Sequence, residues 1–513
     1  MAVPKLYPFR LDSRLAGIFP TRRIVTFLLA FGFVFLWACL ACAPARADVG
    51  VVLNESLDTS VARITGSGHT AVYFSRICPE TPVKLRLCRA DELGSVMSNY
   101  TTLGEDEPFE WNIVPLSVYL YGVEDPQNRP LIGSWKIKRA LEERYRERYL
   151  SEYCARRFCR TSNSAEWREM VAATISRSIY MFVVSTTVEQ DLSLIAEFNT
   201  LPNVNHFNGV TRNCATFTRR IINTYFPKAA KPDYLNDFGM TTPKAIARTF
   251  AHYAERHPES NFRVLHYAQL PGTVKRSSEC RAGTEQLYHS KKLLVPMLIF
   301  ADYGVPLAAA SYVLTGRFNP ERELENHPSA QAAAIADDLK KAKVVKDAAR
   351  VQLLEKLEIH EREQVVGTQA EWKNYRAALD SMAVEAVREE IIPDRDYLNH
   401  IFKDLDKAST PVLDANGALW VEVSENGKAT RVGLSASNVL ASGSDPELAY
   451  ALLLARTERV LKSPKHSREV LPEFLQNWSV LQAGRSMNGT SVANGSGASI
   501  AVRTPLISPV ANP

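Results

Sequence analysis

Arg22 and Arg23 stand directly before the apolar run "IVTFLLAFGFVFLWACLACA", and "APARADVG" follows it with small residues at Ala45 and Ala47. No other feature constrains the chain more, because export decides the redox conditions under which its cysteines fold. Basic residues, an apolar stretch and a small-residue pair read as a bacterial-style signal peptide, 1–47, cleaved after Ala47. Two other readings stand beside it: a retained membrane anchor, and lipid modification at Cys39 or Cys42. Neither "LWAC" nor "ACLAC" is a good lipid-attachment sequence. With the segment inserted in the usual orientation, all three put the rest of the chain outside the cytoplasm, in the periplasm or on the outer side of the inner membrane.

Six of the eight cysteines lie beyond that segment: Cys78, Cys88, Cys154, Cys159, Cys214 and Cys280. In an oxidising compartment the short spacings suggest local bridges, Cys78 to Cys88 and Cys154 to Cys159. Cys214 and Cys280 are left, either to pair or to stay free. No CxxC pair and no histidine among these cysteines speaks for zinc, and the sequence calls for no cofactor.

At 513 residues the chain can hold two or three domains, and a net charge of +5 is small for that size. Basic clusters such as "KIKRALEERYRERY" alternate with acids, which excludes the one-sided patch of a nucleic-acid binder. Residues 48–275 mix strand signals ("HTAVYFSRI", "KLRLC" as its partner, "NIVPLSVYLYGV", "SIYMFVVST") with helices near 135–153, 187–200, 214–226 and 243–256. The fold class is α+β. Residues 290–317 enclose the apolar run 293–316, which carries only Asp302 as a charge and is long enough to span a membrane. Pro296, Gly304 and Pro306 fit buried core helices equally well. A helical hairpin follows over 328–392, then a small α/β region over 393–483 with a β-hairpin turning at Asn426 and Gly427, and a disordered tail over 484–513.

Chemistry concentrates at two places. Asn213 is a good N-cap and would set Cys214 in the first turn of a helix, where the dipole and backbone N–H groups favour a thiolate. Phe217, Ile221, Ile222, Tyr225 and Phe226 recur at helical spacing behind it. A nucleophile also needs a base, and His69 in "TGSGHTAVYF" would open a strand after two glycines. Alternation groups His69 with Ala71, Tyr73 and Ser75, and the small Ala71 leaves room for a helix end. On spacing alone, a buried inert thiol is the commoner fate of such a cysteine.

"GSGHTAVYF" early and "RNCATFTRRI" late resemble the permuted form of the papain-like cysteine enzymes, in which the histidine strand precedes the cysteine helix. Lecithin:retinol acyltransferase-like proteins share this order. The most similar pattern is the Lnb-type N-terminal periplasmic domain of bacterial lipoprotein N-acyltransferases: Gly68, His69 and Thr70, then Asn213, Cys214 and Thr216, match it over about 200 residues. The resemblance implies a papain-like domain with Cys214 and His69 as the catalytic pair. It also implies a third polar group about a dozen residues after the histidine, near Glu80 and Thr81. Neither lies in a convincing strand; Asn112 and His206 are further candidates, and the third member stays unassigned.

Such a pair would attack an ester or amide carbonyl through the Cys214 thiolate and pass the acyl group to an amine or to water. Acyltransferase and amidase or peptidase differ only in that acceptor. The partners are then a lipoprotein, a phospholipid or a peptidoglycan-derived substrate. Membrane association would favour the lipid class. The alternative is a non-catalytic envelope scaffold or binding protein built on a degenerate papain-like domain.

Overall fold

The computed structural model describes residues 46–57, 68–99, 109–152, 169–204, 208, 211–237, 240–289, 310, 312–327, 369–408, 410–425, 428–439, 441, 444–462, 478 and 481. Residues 1–45 of the expected signal peptide, Cys154 and Cys159, His206, the first arm of the expected helical hairpin and the tail 484–513 lie outside the described residues, while Arg46 and Ala47, on the N-terminal side of the expected cleavage point, open a strand. Of the apolar run 293–316, only Ala310 and Tyr312–Gly316 are described. Among the described residues no helix is long and apolar enough to cross a membrane.

The fold is α+β. β1 (Arg46–Asn54) is followed by β2 (His69–Phe74), β3 (Ile77–Thr81), β4 (Lys84–Leu87), β5 (Ser95–Ser98) and β6 (Asn112–Pro115). α1 (Leu116–Tyr121), α2 (Trp135–Tyr149) and α3 (Ala173–Ser176) lead to β7 (Ile179–Thr187). Then come α4 (Val188–Thr200), α5 (Cys214–Tyr225), α6 (Pro243–Glu255), β8 (Arg263–Tyr267), α7 (Gly283–His289) and α8 (Pro320–Asn326). The C-terminal part holds α9 (Gln369–Arg388), α10 (Tyr397–Ala408), β9 (Val412–Leu413), β10 (Leu419–Glu425), β11 (Lys428–Gly433) and α11 (Pro446–Lys462).

Six strands form one sheet in the order β6-β5-β2-β1-β7-β8. β1 lies inside it and is missed by a search for alternation, because Val49, Val51, Val52 and Leu53 are buried on both faces. "KLRLC" does not join β2: β4 pairs with β3 in a separate two-stranded hairpin, closed by the Cys78–Cys88 disulfide. The strand foreseen over 112–123 stops at Pro115, and the chain turns into α1, which ends at Gly122 with φ of 76°. Positive φ is costly for residues with a Cβ, so glycine suits that helix end.

Each face of the sheet has its own apolar layer. Val51, Leu53, Val72, Phe74 and Phe182 meet α4, α5 and α6 on one side. Val52, Ala71, Val96 and Val183 meet α1, α2 and α3 on the other, and the same layer continues without a break into Leu379, Phe402, Leu419 and Leu452. The described part of 393–483 therefore shares a core with the sheet and α1–α3. Its docking is specific: Leu131 N donates to Leu434 O (2.7 Å) and Arg459 Nη1 to Gly272 O (2.8 Å). The physical reason is α11, whose "LAYALLLA" is apolar around most of its circumference and cannot be covered by one small hairpin. β10 and β11 pair with Glu425 opposite Lys428, so two residues connect them, as the Asn426–Gly427 pattern requires.

The β3–β4 hairpin generates a prediction. Two strands are marginal alone, and the Cys78–Cys88 bridge closes a loop short enough to remove about 3 kcal/mol of chain entropy from the unfolded state. Replacing both cysteines by serine should lower stability by roughly that amount in urea titration; an unchanged midpoint would show that packing alone holds the hairpin.

Candidate functional site

The start of α5 is held by reciprocal hydrogen bonds. Thr216 N donates to Asn213 Oδ1 (3.0 Å), and Asn213 N donates to Thr216 Oγ1 (2.9 Å). This capping box makes Cys214 the first residue of the helix. Asn213 Nδ2 also donates to Thr241 O (3.0 Å), tying the cap to the segment that leads into α6. Cys214 is a half-buried thiol outside any disulfide.

The far end of α5 is anchored as firmly. Phe217, Ile221, Ile222 and Tyr225 are buried, Tyr225 Oη donates to Asp191 Oδ1 of α4 (2.7 Å), and the Tyr225 ring centre lies 6.3 Å from that of Phe74. α5 packs along β2. From Tyr225 back to Cys214 a helix rises about 16 Å, and from Phe74 back to His69 a strand covers about the same length. Cys214 and His69 thus come level at one end of the sheet.

Burial first raises the pKa of both Tyr119 and Cys280, and Cys214 adds a smaller raising influence on each, as a neighbour would. Cys280 Sγ donates to Asn54 O (3.0 Å), and Tyr119 Oη donates to Asn54 Oδ1 (3.0 Å). Asn54 stands directly opposite His69 in the β1–β2 register. These contacts gather Asn54, His69, Tyr119, Cys214 and Cys280 into one neighbourhood.

His69 is buried, with Nε2 2.6 Å from Ser98 Oγ of β5. Burial, and then the positive charge of Arg177, hold its pKa well below 6.5. The imidazole is therefore neutral at neutral pH, as a general base must be. Gly68 precedes it with φ of 67°, and a Cβ there would collide with Asn54 O and Cys280 Sγ. Only glycine lets the chain enter β2 at this point.

Two expectations change. The helix end does not seat beside Ala71: the apolar stripe of α5 covers the Val72 and Phe74 face, while Ala71 packs in the opposite layer. Alternation sets His69 on the Ala71 side, so Cys214 and His69 come level at the rim from the two faces of the sheet. Glu80 and Thr81, where the resemblance implies a third polar group, belong to the β3–β4 hairpin, and Glu80 pairs with Lys84 at 3.0 Å. Ser98 holds the histidine instead, and Asn112 stands opposite Ser98 on β6. Ser98 was hidden because the disulfide-closed hairpin pushes the neighbouring strand to 29 residues after His69. Reading Cys78 to Cys88 as a closed excursion would have pointed to "SVMS" as the next sheet strand.

No family model, curated protein or solved structure matches this chain.

Two outcomes test this geometry. Gly68→Ala should destabilise the protein by about 1–3 kcal/mol, with loss of the His69 environment in its imidazole NMR signals; a neutral substitution would contradict the close approach. Below pH 6.5 the unfolded chain protonates His69 while the folded protein does not, so stability falls as pH drops. The slope is at most about 1.4 kcal/mol per pH unit for one group. In His69→Gln, urea unfolding between pH 6.5 and 5.5 should show a shallower slope than wild type, and equal slopes would place His69 in water.

Proposed function

We propose that the protein is an exported cysteine-dependent enzyme of the permuted papain-like kind, in which Cys214 attacks an ester or amide carbonyl and His69 receives its proton. One observation carries this reading: a buried, neutral imidazole fastened through Nε2 to Ser98, level with a half-buried thiol at a capped helix start. With Nε2 committed, Nδ1 is the nitrogen that exchanges the proton with the thiol. Proton transfer yields a thiolate and an imidazolium, and Ser98 Oγ accepts the Nε2 proton of the latter. The backbone N–H of Cys214 is the natural first donor to the developing oxyanion. Collapse of the tetrahedral adduct expels the leaving group, protonated by His69, and leaves an acyl-thioester that an amine or water resolves.

The substrate class we favour is acylated lipid or lipoprotein, handled on the outer side of the inner membrane. The segment that receives the Asn213 cap also carries Tyr234 (58 % exposed) and Leu235 (61 %). Beside it Gly316 packs on Asn236, and Leu314, the end of the apolar run, is 81 % exposed. Exposed apolar side chains on the segment that holds the cap of the Cys214 helix suit an acyl chain better than a polar cell-wall peptide.

The test is to incubate the full chain with phosphatidylethanolamine vesicles carrying a labelled acyl chain, and separately with a labelled muropeptide amide. Label released by neutral hydroxylamine should sit on Cys214 with the vesicles. Cys214→Ser and His69→Ala should abolish it, while Ser98→Ala should slow it by less than the roughly 10²–10⁴-fold that a positioned general base contributes. Label from the muropeptide alone would shift the substrate to cell-wall amides, and folded wild type without label from either would leave the domain as a binding scaffold.

A further inference from the structure

At the end of α6 away from the Asn213 cap, three cation-ligating side chains converge. Glu255 is the last residue of α6, Glu323 lies in α8, and His327 caps the C-terminus of α8. Their ligand atoms all lie within 4.8 Å of one another, and His327 Nε2 is 3.4 Å from Glu255 Oε1. Glu323 is 9 % exposed; its Oε2 is sealed from solvent with no donor in reach among the described residues, and its carboxyl hydrogen-bonds only to another acid, Glu255. A buried carboxylate oxygen in that state lacks what burial demands.

The backbone holds the group in place. His327 N donates to Glu323 O (2.9 Å), Val264 N, from β8, donates to His327 O (2.9 Å), and the Phe262 ring centre lies 4.8 Å from that of the imidazole. We propose that Glu255, Glu323 and His327 form a binding site for a divalent transition cation of the zinc class. An imidazole among the donors separates it from calcium and magnesium sites, which are built from oxygen ligands. Three protein donors leave a fourth tetrahedral position for water. The cation gives the sealed Glu323 oxygen its partner and relieves the repulsion between two adjacent carboxylates.

Its role is structural. α6 is about 18 Å long from Pro243 to Glu255, so the site stands well apart from the thiol. By joining α8 to α6 and β8, the cation fastens the chain that follows the apolar run 293–316 to the thiol domain.

The experiment uses the full chain carrying Cys214→Ser, which removes the thiolate as a competing ligand. Metal-stripped protein is titrated with zinc chloride by calorimetry at pH 7.5, with melting temperature as a second readout, since a ligand bound only to the folded state raises it. One zinc per chain and a raised melting temperature are expected. Glu323→Gln, His327→Ala and the more exposed Glu255→Gln should each weaken that binding at least tenfold and remove the thermal shift. Unchanged zinc affinity in folded Glu255→Gln would overturn the site. So would no zinc binding, as two carboxyls sharing a proton would give, or binding of calcium in place of zinc.

Discussion

The antiparallel pairing of β1 with β2 is the constraint on which the rest of the site depends. It sets Asn54 opposite His69 and Val49 opposite Phe74, and so fixes both ends of the strand that carries the histidine. Because the side-chain period of a strand is two, a slip of one residue would move His69 to the other face, away from Ser98. The slip is opposed on both faces at once, since Val52 and Ala71 are sealed into one apolar layer and Leu53 and Val72 into the other. Thr70 adds a direct lock, with its hydroxyl donating to Val52 O (2.8 Å). Chemistry here rests on register, and register rests on two-sided burial.

How much of this was legible in the sequence follows from the range of each interaction. α5 was readable because everything that makes it is local: Asn213 and Thr216 cap each other three residues apart, and the stripe from Phe217 to Tyr225 repeats at the helical period. α4 was readable for the same reason, its capping box closing between Thr187 and Gln190. The Cys78–Cys88 bridge followed from spacing and compartment. β1 was not readable, because a strand buried on both faces carries no alternation to separate it from a short core helix. Ser98 was not readable either: its meaning lies in a strand neighbour, and sheet order is a long-range property that an inserted hairpin rearranges. The shared core of α11 with α2 failed for a similar reason, since an apolar helix announces burial without naming its cover.

The hairpin shows how such an insertion leaves the site intact. β3 and β4 leave the sheet after Phe74 and return at Gly94, whose φ of 89° and lack of a Cβ let the chain pass against the Phe74 carbonyl. Ser95 then pairs with Phe74, and its hydroxyl donates to Ile77 O, sewing the root of the hairpin to the sheet it left. The excursion is closed twice, by a disulfide near its base and by hydrogen bonds to the sheet. Its length is thus decoupled from the spacing between His69 and Ser98 in space.

Two thiols lie near the same end of the sheet, and their surroundings separate their chemistry. Cys280 is buried, donates its thiol proton to Asn54 O and has its pKa driven upward by burial and by the negative charge of Glu55. A thiol in that setting is inert, because ionisation would place a second charge in a sealed site and break its one hydrogen bond. Its bulk still matters, since it fills the space beside Gly68 where the chain enters β2. Cys214 has the reverse setting: partial exposure, a helix start whose dipole favours the anion, and a neutral imidazole level with it. The thiol that could react and the thiol that cannot are therefore distinguished by helix, burial and carbonyl, and Cys280 serves the site as packing that holds Gly68, and through it His69, in position.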